Sequence, residues 1–510
     1  MKPLSVNREE PHPPAAPPES KERQVIFLLC LLAAVHVFVF SAGFPLINNV
    51  DEQAHFDLAV KYSHGHLPRS LDPISQEALQ YIVIFGSQEY LWSPKTFPEG
   101  RFPPPPWTQP MQEAAPVLLA REAAWQSANH ESSQPPLYYA LAGLWWHVGK
   151  ACGIEGGRLL YWLRFLNMLF VMALVWVGYA AARMVFPGPG FRRIGVAALL
   201  ALLPQSAFYS IESDVLSPLG FGAVFICAVQ WLRADVPDVR LGIFTGVAFA
   251  ATFLVKMTNL PLLFVAGMVV SLKMWRLAGN GKLRAALPAL AAAFACALPP
   301  MLLCMIWCKY HFGDFTGSGA KVAFLGWTVK PSAEWLHHPI FTPHGLWTFV
   351  SGLLATFWQG EFMWHREPLA AATVSMIYVI ASLGLVGLAS VALVSKRTTA
   401  NPIQRSALGF GLGSCVAAVA FLGFLSIIYD YHDCFRPSRD LPYFTSGRMI
   451  LGALIPFLLL FVYGLDRALS FTGSRWPRWL ALTGIALFML ISEIAIDRPV
   501  FSSQYNWFHM

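Results

Sequence analysis

The sequence predicts an all-α membrane protein, a polytopic bundle of about eleven transmembrane helices with two long outer loops that carry interfacial helices. Three observations predict it. Of 510 residues, 55% are hydrophobic and 13% charged, whereas soluble domains carry about 25% charged residues. Apolar runs near the ~20 residues needed to cross a bilayer recur from Val25 to the end. Lys and Arg gather at alternate connections between those runs, as inner loops do. Long recurring runs favour helices over a β-barrel, whose strands alternate in short segments.

The elements follow in chain order. Residues 1–24 are Pro-rich and polar and are expected to be a disordered tail on the inner side. The run from Val25 to Phe44 is longer than the core of a signal peptide and reads as a retained anchor. Spans are expected at 25–45, 159–182, 194–210, 215–232, 241–255, 260–275, 285–308, 368–395, 406–428, 448–466 and 477–496, making residues 25–510 one transmembrane domain. With the N-terminus inside, the basic sets Lys21 and Arg23, Arg183 with Arg192 and Arg193, Lys273 with Arg276, Lys282 and Arg284, and Arg467 with Arg475 and Arg478 all fall on inner loops. The C-terminus and Asp51 then lie outside.

Two outer loops, 46–158 and 309–367, are long, and loops of that length in a compact chain are functional or disordered. The stretch Pro135 to Trp146 is too short to span and rich in aromatics, so it is expected to lie on the membrane surface, with Gly345 to Trp358 similar. Such helices would roof a cavity at membrane level.

The net charge of +7 is spread over loop flanks and forms no dense basic stripe, so a nucleic-acid partner is not expected. Most of the eight cysteines fall inside spans as small apolar residues. Cys152 and Cys434 fall in polar loops, and their pairing cannot be deduced from sequence.

The most telling stretch is Asn48-Asn49-Val50-Asp51-Glu52-Gln53-Ala54-His55-Phe56-Asp57, directly after the first span. Ionisable groups at a bilayer edge are costly to desolvate and point to function. In a helix, Asp51 or Glu52 would be within a turn of His55 and able to hold its imidazole. Crowded carboxylates raise at least one pKa, which suits proton acceptance near neutrality. Three readings compete: a solvated, capped helix start; a variant of the HExxH zinc helix with Asp51 in place of the first His; and a catalytic base. His36, inside the first span, reads as a satisfied core residue. The GSGAK stretch at 317–321 fails the spacing of a phosphate-binding loop.

Four stretches, NNVDEQAHF at 48–56, SSQPPLYYAL at 132–141, FWQGEFMW at 357–364 and SGRMILGALIPF at 446–457, resemble the GT-C superfamily of integral-membrane glycosyltransferases, and more narrowly a bacterial multi-pass family assigned to it. The polar segment Ser210 to Asp214 is also similar. The chain departs from the pattern at Val50, where relatives carry proline, and at Met449, where they carry tyrosine. The resemblance implies an enzyme of the inner bacterial membrane. It would move a sugar from a polyprenyl-phosphate-linked donor to a glycan, lipid or protein acceptor on the outer side, with inversion. By carry-over Asp51 is the catalytic base, and Glu52 assists or positions the acceptor.

Such transfer needs cations for the departing lipid phosphate. Arg448 and Lys309 are the first candidates, with Lys256 and Arg164 behind them. His55, Gln134, Tyr138, Asp214, Trp358 and Glu361 complete the expected substrate-binding set. The rings of Tyr138 and Trp358 are suited either to stacking on sugars or to anchoring at the membrane interface. A divalent cation, Mg²⁺ or Mn²⁺, would suit Asp51, Glu52 and Asp214 if they converge. A lipid-linked glycan transporter or flippase, and a glycan polymerase or ligase using the same site, stand as alternatives.

Overall fold

Within a bilayer every backbone amide must find a partner inside the protein, and the apolar runs accordingly wind into long helices. The computed structural model describes residues 20–510 apart from 90–91, 189, 396–400, 433, 435–436 and 471–473. Most of the expected tail, residues 1–19, lies outside the described residues. Its last residues are helical, because α1 (Ser20–Gly43) already begins there.

The first long loop holds α2 (Glu52–Ser63), α3 (Gln76–Phe85), α4 (Met111–Trp125) and α5 (Leu137–Ala151). Next come α6 (Gly157–Val185), α7 (Gly190–Ala201), α8 (Ser217–Arg233), α9 (Val239–Val255), α10 (Leu260–Gly279) and α11 (Leu283–Phe312). The second loop holds α12 (Ser318–Phe324) and α13 (Pro343–Gln359). The chain closes with α14 (Ala372–Val394), α15 (Pro402–Ile428), α16 (Leu454–Ala468) and α17 (Trp476–Phe501). Two short antiparallel ladders pair Thr328–Val329 with Tyr429–Asp430 and Met363–Trp364 with Glu367–Pro368.

Among the described residues, α1, α6, α8, α10, α11, α14, α15, α16 and α17, some lengthened by a 3-10 turn, are long and apolar enough to cross a membrane. Helix α9 is apolar but shorter. The span expected at 194–210 is broken. Helix α7 stops at Ala201, shortly before Pro204, whose ring and missing amide disfavour continuation. The chain then runs through residues 202–212 as buried backbone, irregular apart from a 3-10 turn at Ser206–Tyr209. Irregular backbone survives at such depth only where protein satisfies it. Here Asn167 Nδ2 donates to the carbonyls of Phe208 (3.1 Å) and Ser210 (2.7 Å). Gln205 Nε2 donates to Thr356 (3.1 Å) and Phe357 (2.8 Å). This segment carries one wall of the site described below.

Helix α16 is the axis of the bundle. Its apolar window is 94% buried, against 11% for α11, which flanks α9 at the periphery. The α9–α11 contact depends on Gly242 and Gly246: a Cβ on either would collide with the Ala289 or Ala293 carbonyl. This is the small-residue packing that brings membrane helices close.

Candidate active site

The chain leaves α1 at Gly43, and Asp51 is the N-cap of α2. Asp51 adopts φ 64°, ψ 5°, a left-handed conformation that Asp tolerates better than most residues. Its side chain makes no capping bond to its own helix, so the carboxylate reaches outward. Strained positions of this kind gather at functional sites.

Arg448, in the 3-10 turn Gly447–Ala453 that leads into α16, holds that carboxylate. Its Nη2 lies 2.5 Å from Asp51 Oδ2, and Nη1 donates to the Val50 carbonyl at 3.2 Å. The same guanidinium meets Glu361 at 3.1 Å, Glu212 at 3.4 Å and Asp214 at 4.0 Å. Gly447 allows the approach, since a Cβ there would strike the Phe357 backbone. Asp214 pairs with Lys256 at 2.5 Å, and Glu361 also accepts from Ser446 Oγ at 2.5 Å.

The first long loop supplies the other side. His130 Nε2 lies 3.1 Å from Asp51 Oδ1 and 3.5 Å from Glu131 Oε1. Glu131 is paired with Lys321 of α12 and accepts from Gln134 Nε2 at 2.6 Å. Five carboxylates (Asp51, Glu131, Glu212, Asp214 and Glu361) thus meet three cations, Arg448, Lys256 and Lys321.

Burial alone would raise the Asp51 carboxyl. Arg448 outweighs it, aided by His130 and Lys321, and holds Asp51 well below the usual carboxylate range. The crowding expected to raise this pKa is therefore overridden by the guanidinium. Burial likewise opposes Glu131, which Lys321 and His130 pull down. Glu361 is raised, because burial there exceeds the pull of Arg448. The Asp51 side chain keeps 21% of its surface exposed, so an ionised oxygen is reachable from the loop side.

Several expected roles land elsewhere. Glu52, fully buried, forms a two-pronged pair with Arg164 at 2.7 Å on both oxygens and accepts the Ile211 amide at 3.1 Å. It faces the fold's interior, and Arg164, a reserve cation for phosphate, is occupied there. His55 is held by neither neighbouring carboxylate: its Nδ1 is 2.7 Å from the Tyr139 hydroxyl. Burial, with Lys256 and Arg448 nearby, pushes His55 down to about 4 although Glu131 pulls it upward. Tyr138 is buried edge-on against Tyr139. Trp358 is core rather than a sugar platform, stacked on Tyr378 at 4.9 Å and donating to Ser382 at 2.8 Å. Lys309 is exposed and donates to its own chain at Gly313 (2.7 Å), with no ion pair among the described residues. No disulfide joins Cys152 and Cys434.

Asp51, Glu52 and Asp214 do not converge as a metal trio, since Arg164 and Lys256 claim the last two. Asp51, His130 and Glu131 do converge, with ligand atoms all within 4.8 Å of one another. One imidazole and two carboxylates suit Mn²⁺ or Zn²⁺ better than Mg²⁺. His130, Glu131 and Lys321 were missed in the sequence. The polar His-Glu pair directly before SSQPPLYY was the available signal, and Lys321 ends the GSGAK stretch.

A family described as "Predicted membrane protein (DUF2142)" matches residues 32–428. No curated protein matches the sequence. Two solved structures from Archaeoglobus fulgidus align with the fold. One is the oligosaccharyltransferase in complex with Zn and sulfate, at 12% identity and TM-score 0.39, covering 92% of this chain and 53% of that one. The other is the oligosaccharyltransferase AglB in complex with an inhibitory peptide and a dolichol-phosphate, at 12% identity and TM-score 0.40, covering 95% and 56%. The chain spans about half the length of either structure.

Proposed function

The chain belongs to the predicted membrane protein family DUF2142, and we propose that it is a membrane glycosyltransferase that moves a sugar from a polyprenyl-phosphate-linked donor to an acceptor hydroxyl or amine, with inversion, on the outer side of the membrane. The observation that carries this reading is Asp51. It is an ionised, reachable carboxylate in a left-handed conformation, aimed away from its own helix and fixed by Arg448 and His130.

In the reaction the acceptor oxygen or nitrogen bonds to the anomeric carbon as the bond to the lipid phosphate breaks. The electron pair leaves with the phosphate, and the acceptor proton passes to Asp51. A carboxylate of depressed pKa is a weak base, so the proton moves late, when bond formation has made the acceptor acidic. Arg448 is saturated by carboxylates, and its role is to orient Asp51. Lys321, 26% exposed and beside Asp51, is the cation better placed for the donor phosphate. A divalent ion on Asp51, His130 and Glu131, when bound, would supply further charge there.

Asp51→Asn tests the assignment. Asn also tolerates the left-handed conformation, so the fold is expected to persist while transfer from a radiolabelled polyprenyl-phosphate sugar falls ~10²–10⁴-fold. Transfer near the wild-type rate would remove Asp51 from the chemistry.

A further inference from the structure

A second set of ionisable side chains lies inside the apolar bundle, behind segment 202–212. Glu493 and Asp497 sit one turn apart on α17, while His36 approaches from α1. Both oxygens of Glu493 are engaged: Oε2 is 2.7 Å from His36 Nε2, and Oε1 accepts the Tyr209 hydroxyl. Asp497 is 8% exposed, and among the described residues no donor or cation reaches its carboxylate. Arg498, next in sequence, is exposed.

Asp497 and Glu493 line a small cavity with Ser206, Tyr209, Gln359 and Ser492. It has room for one water-sized particle but not for a sugar. A buried carboxylate without a partner is costly, and ionisable groups kept among apolar helices mark ion or proton sites. Two carboxylates here face one imidazole. Water would fill the space and leave the charge uncompensated. A proton on Asp497 would neutralise that group alone and leave the oxygen-lined space unfilled. An unhydrated hard cation does both, and an oxygen-rich lining suits one.

We propose that Glu493 and Asp497, completed by the hydroxyls of Ser206 and Ser492, bind one sodium-sized monovalent cation within the bundle. Ser206 links this site to the first: its Oγ accepts the Glu361 amide at 3.1 Å. The ion therefore braces, from behind, the wall that carries Glu212 and touches Glu361.

The test uses full-length protein in lipid nanodiscs. ²²Na⁺ binding is measured directly, and thermal unfolding is compared in NaCl and choline chloride at equal ionic strength and pH. Saturable binding of one Na⁺ per chain is expected, with a higher apparent Tm in NaCl. Asp497→Asn is expected to abolish both, and Ser492→Ala to weaken binding while the protein still folds. Absence of saturable binding with equal Tm in the two salts would overturn the proposal and leave a proton as the occupant. Binding that survives both substitutions unchanged would overturn it too, by placing the ion elsewhere.

Discussion

Glu52→Gln separates a structural carboxylate from a chemical one. Glu52 is 0% and Arg164 1% exposed, and both carboxylate oxygens bond the guanidinium at 2.7 Å. Arg164 also donates to the Phe44 carbonyl (2.6 Å) and the Pro45 carbonyl (2.9 Å), fixing the exit from α1. Gln keeps the shape but turns an NH₂ toward the guanidinium at one contact and leaves its charge uncompensated. Removing one partner of a buried pair costs about 3–5 kcal/mol. The apparent Tm in nanodiscs is therefore expected to fall by several degrees, with transfer per folded molecule largely kept. Asp51→Asn should give the opposite pattern. Adding Arg164→Met to Glu52→Gln should not recover the loss, since the Phe44 and Pro45 carbonyls then lose their buried donor. A Glu52→Gln protein with wild-type Tm and transfer reduced a hundredfold would refute the reasoning and return Glu52 to the chemistry.

Other outcomes are as definite. Gly242→Val forces α9 from the Ala289 carbonyl and should cost about 1–3 kcal/mol; an unchanged Tm would deny the close contact. His55 is depressed from its ordinary 6.5 to about 4, so its neutral form stabilises the fold above pH 6.5 and that contribution is lost as pH falls toward 4. The linkage amounts to at most about 3 kcal/mol. His55→Asn should flatten stability between those limits, and an identical profile in both proteins would contradict it. Asp51, held below the usual range, should give no acid limb in transfer between pH 5 and 8; a limb there that Asp51→Asn abolishes would show a raised carboxyl instead. EDTA is expected to lower transfer and Mn²⁺ to restore it, whereas full activity in EDTA would leave Asp51, His130 and Glu131 as a hydrogen-bonded network.

The spans were legible because hydropathy and length are summed over many residues, and errors average out. Where one residue decides, as at Pro204 ending α7, the apolar run concealed the break. Asp51 and Arg448, which the structure joins in an ion pair, stood out in the sequence, since charges at a span's end have few inexpensive explanations. The split between Asp51 and Glu52 was not. It follows from one positive φ at Asp51, which sends adjacent carboxylates to different partners. Composition does not encode that angle. Lys321 and His130 were invisible for another reason: each meets its partner across 190 or 79 residues of chain, and no local pattern announces such a meeting.

The position of α16 sets a timetable for biogenesis. The helices that enclose it, α6, α7, α8, α14 and α15, all precede it in the chain. They enter the membrane before their central partner is translated. Arg448 arrives with α16, so until then the nascent protein carries Asp51, Glu212, Asp214 and Glu361 without their shared counter-ion. Lys256 and Lys321 come earlier and can offset Asp214 and Glu131, so Glu212 and Glu361 are the carboxylates that wait for Arg448. Closure of the bundle on α16 and completion of this charge cluster therefore belong to one step.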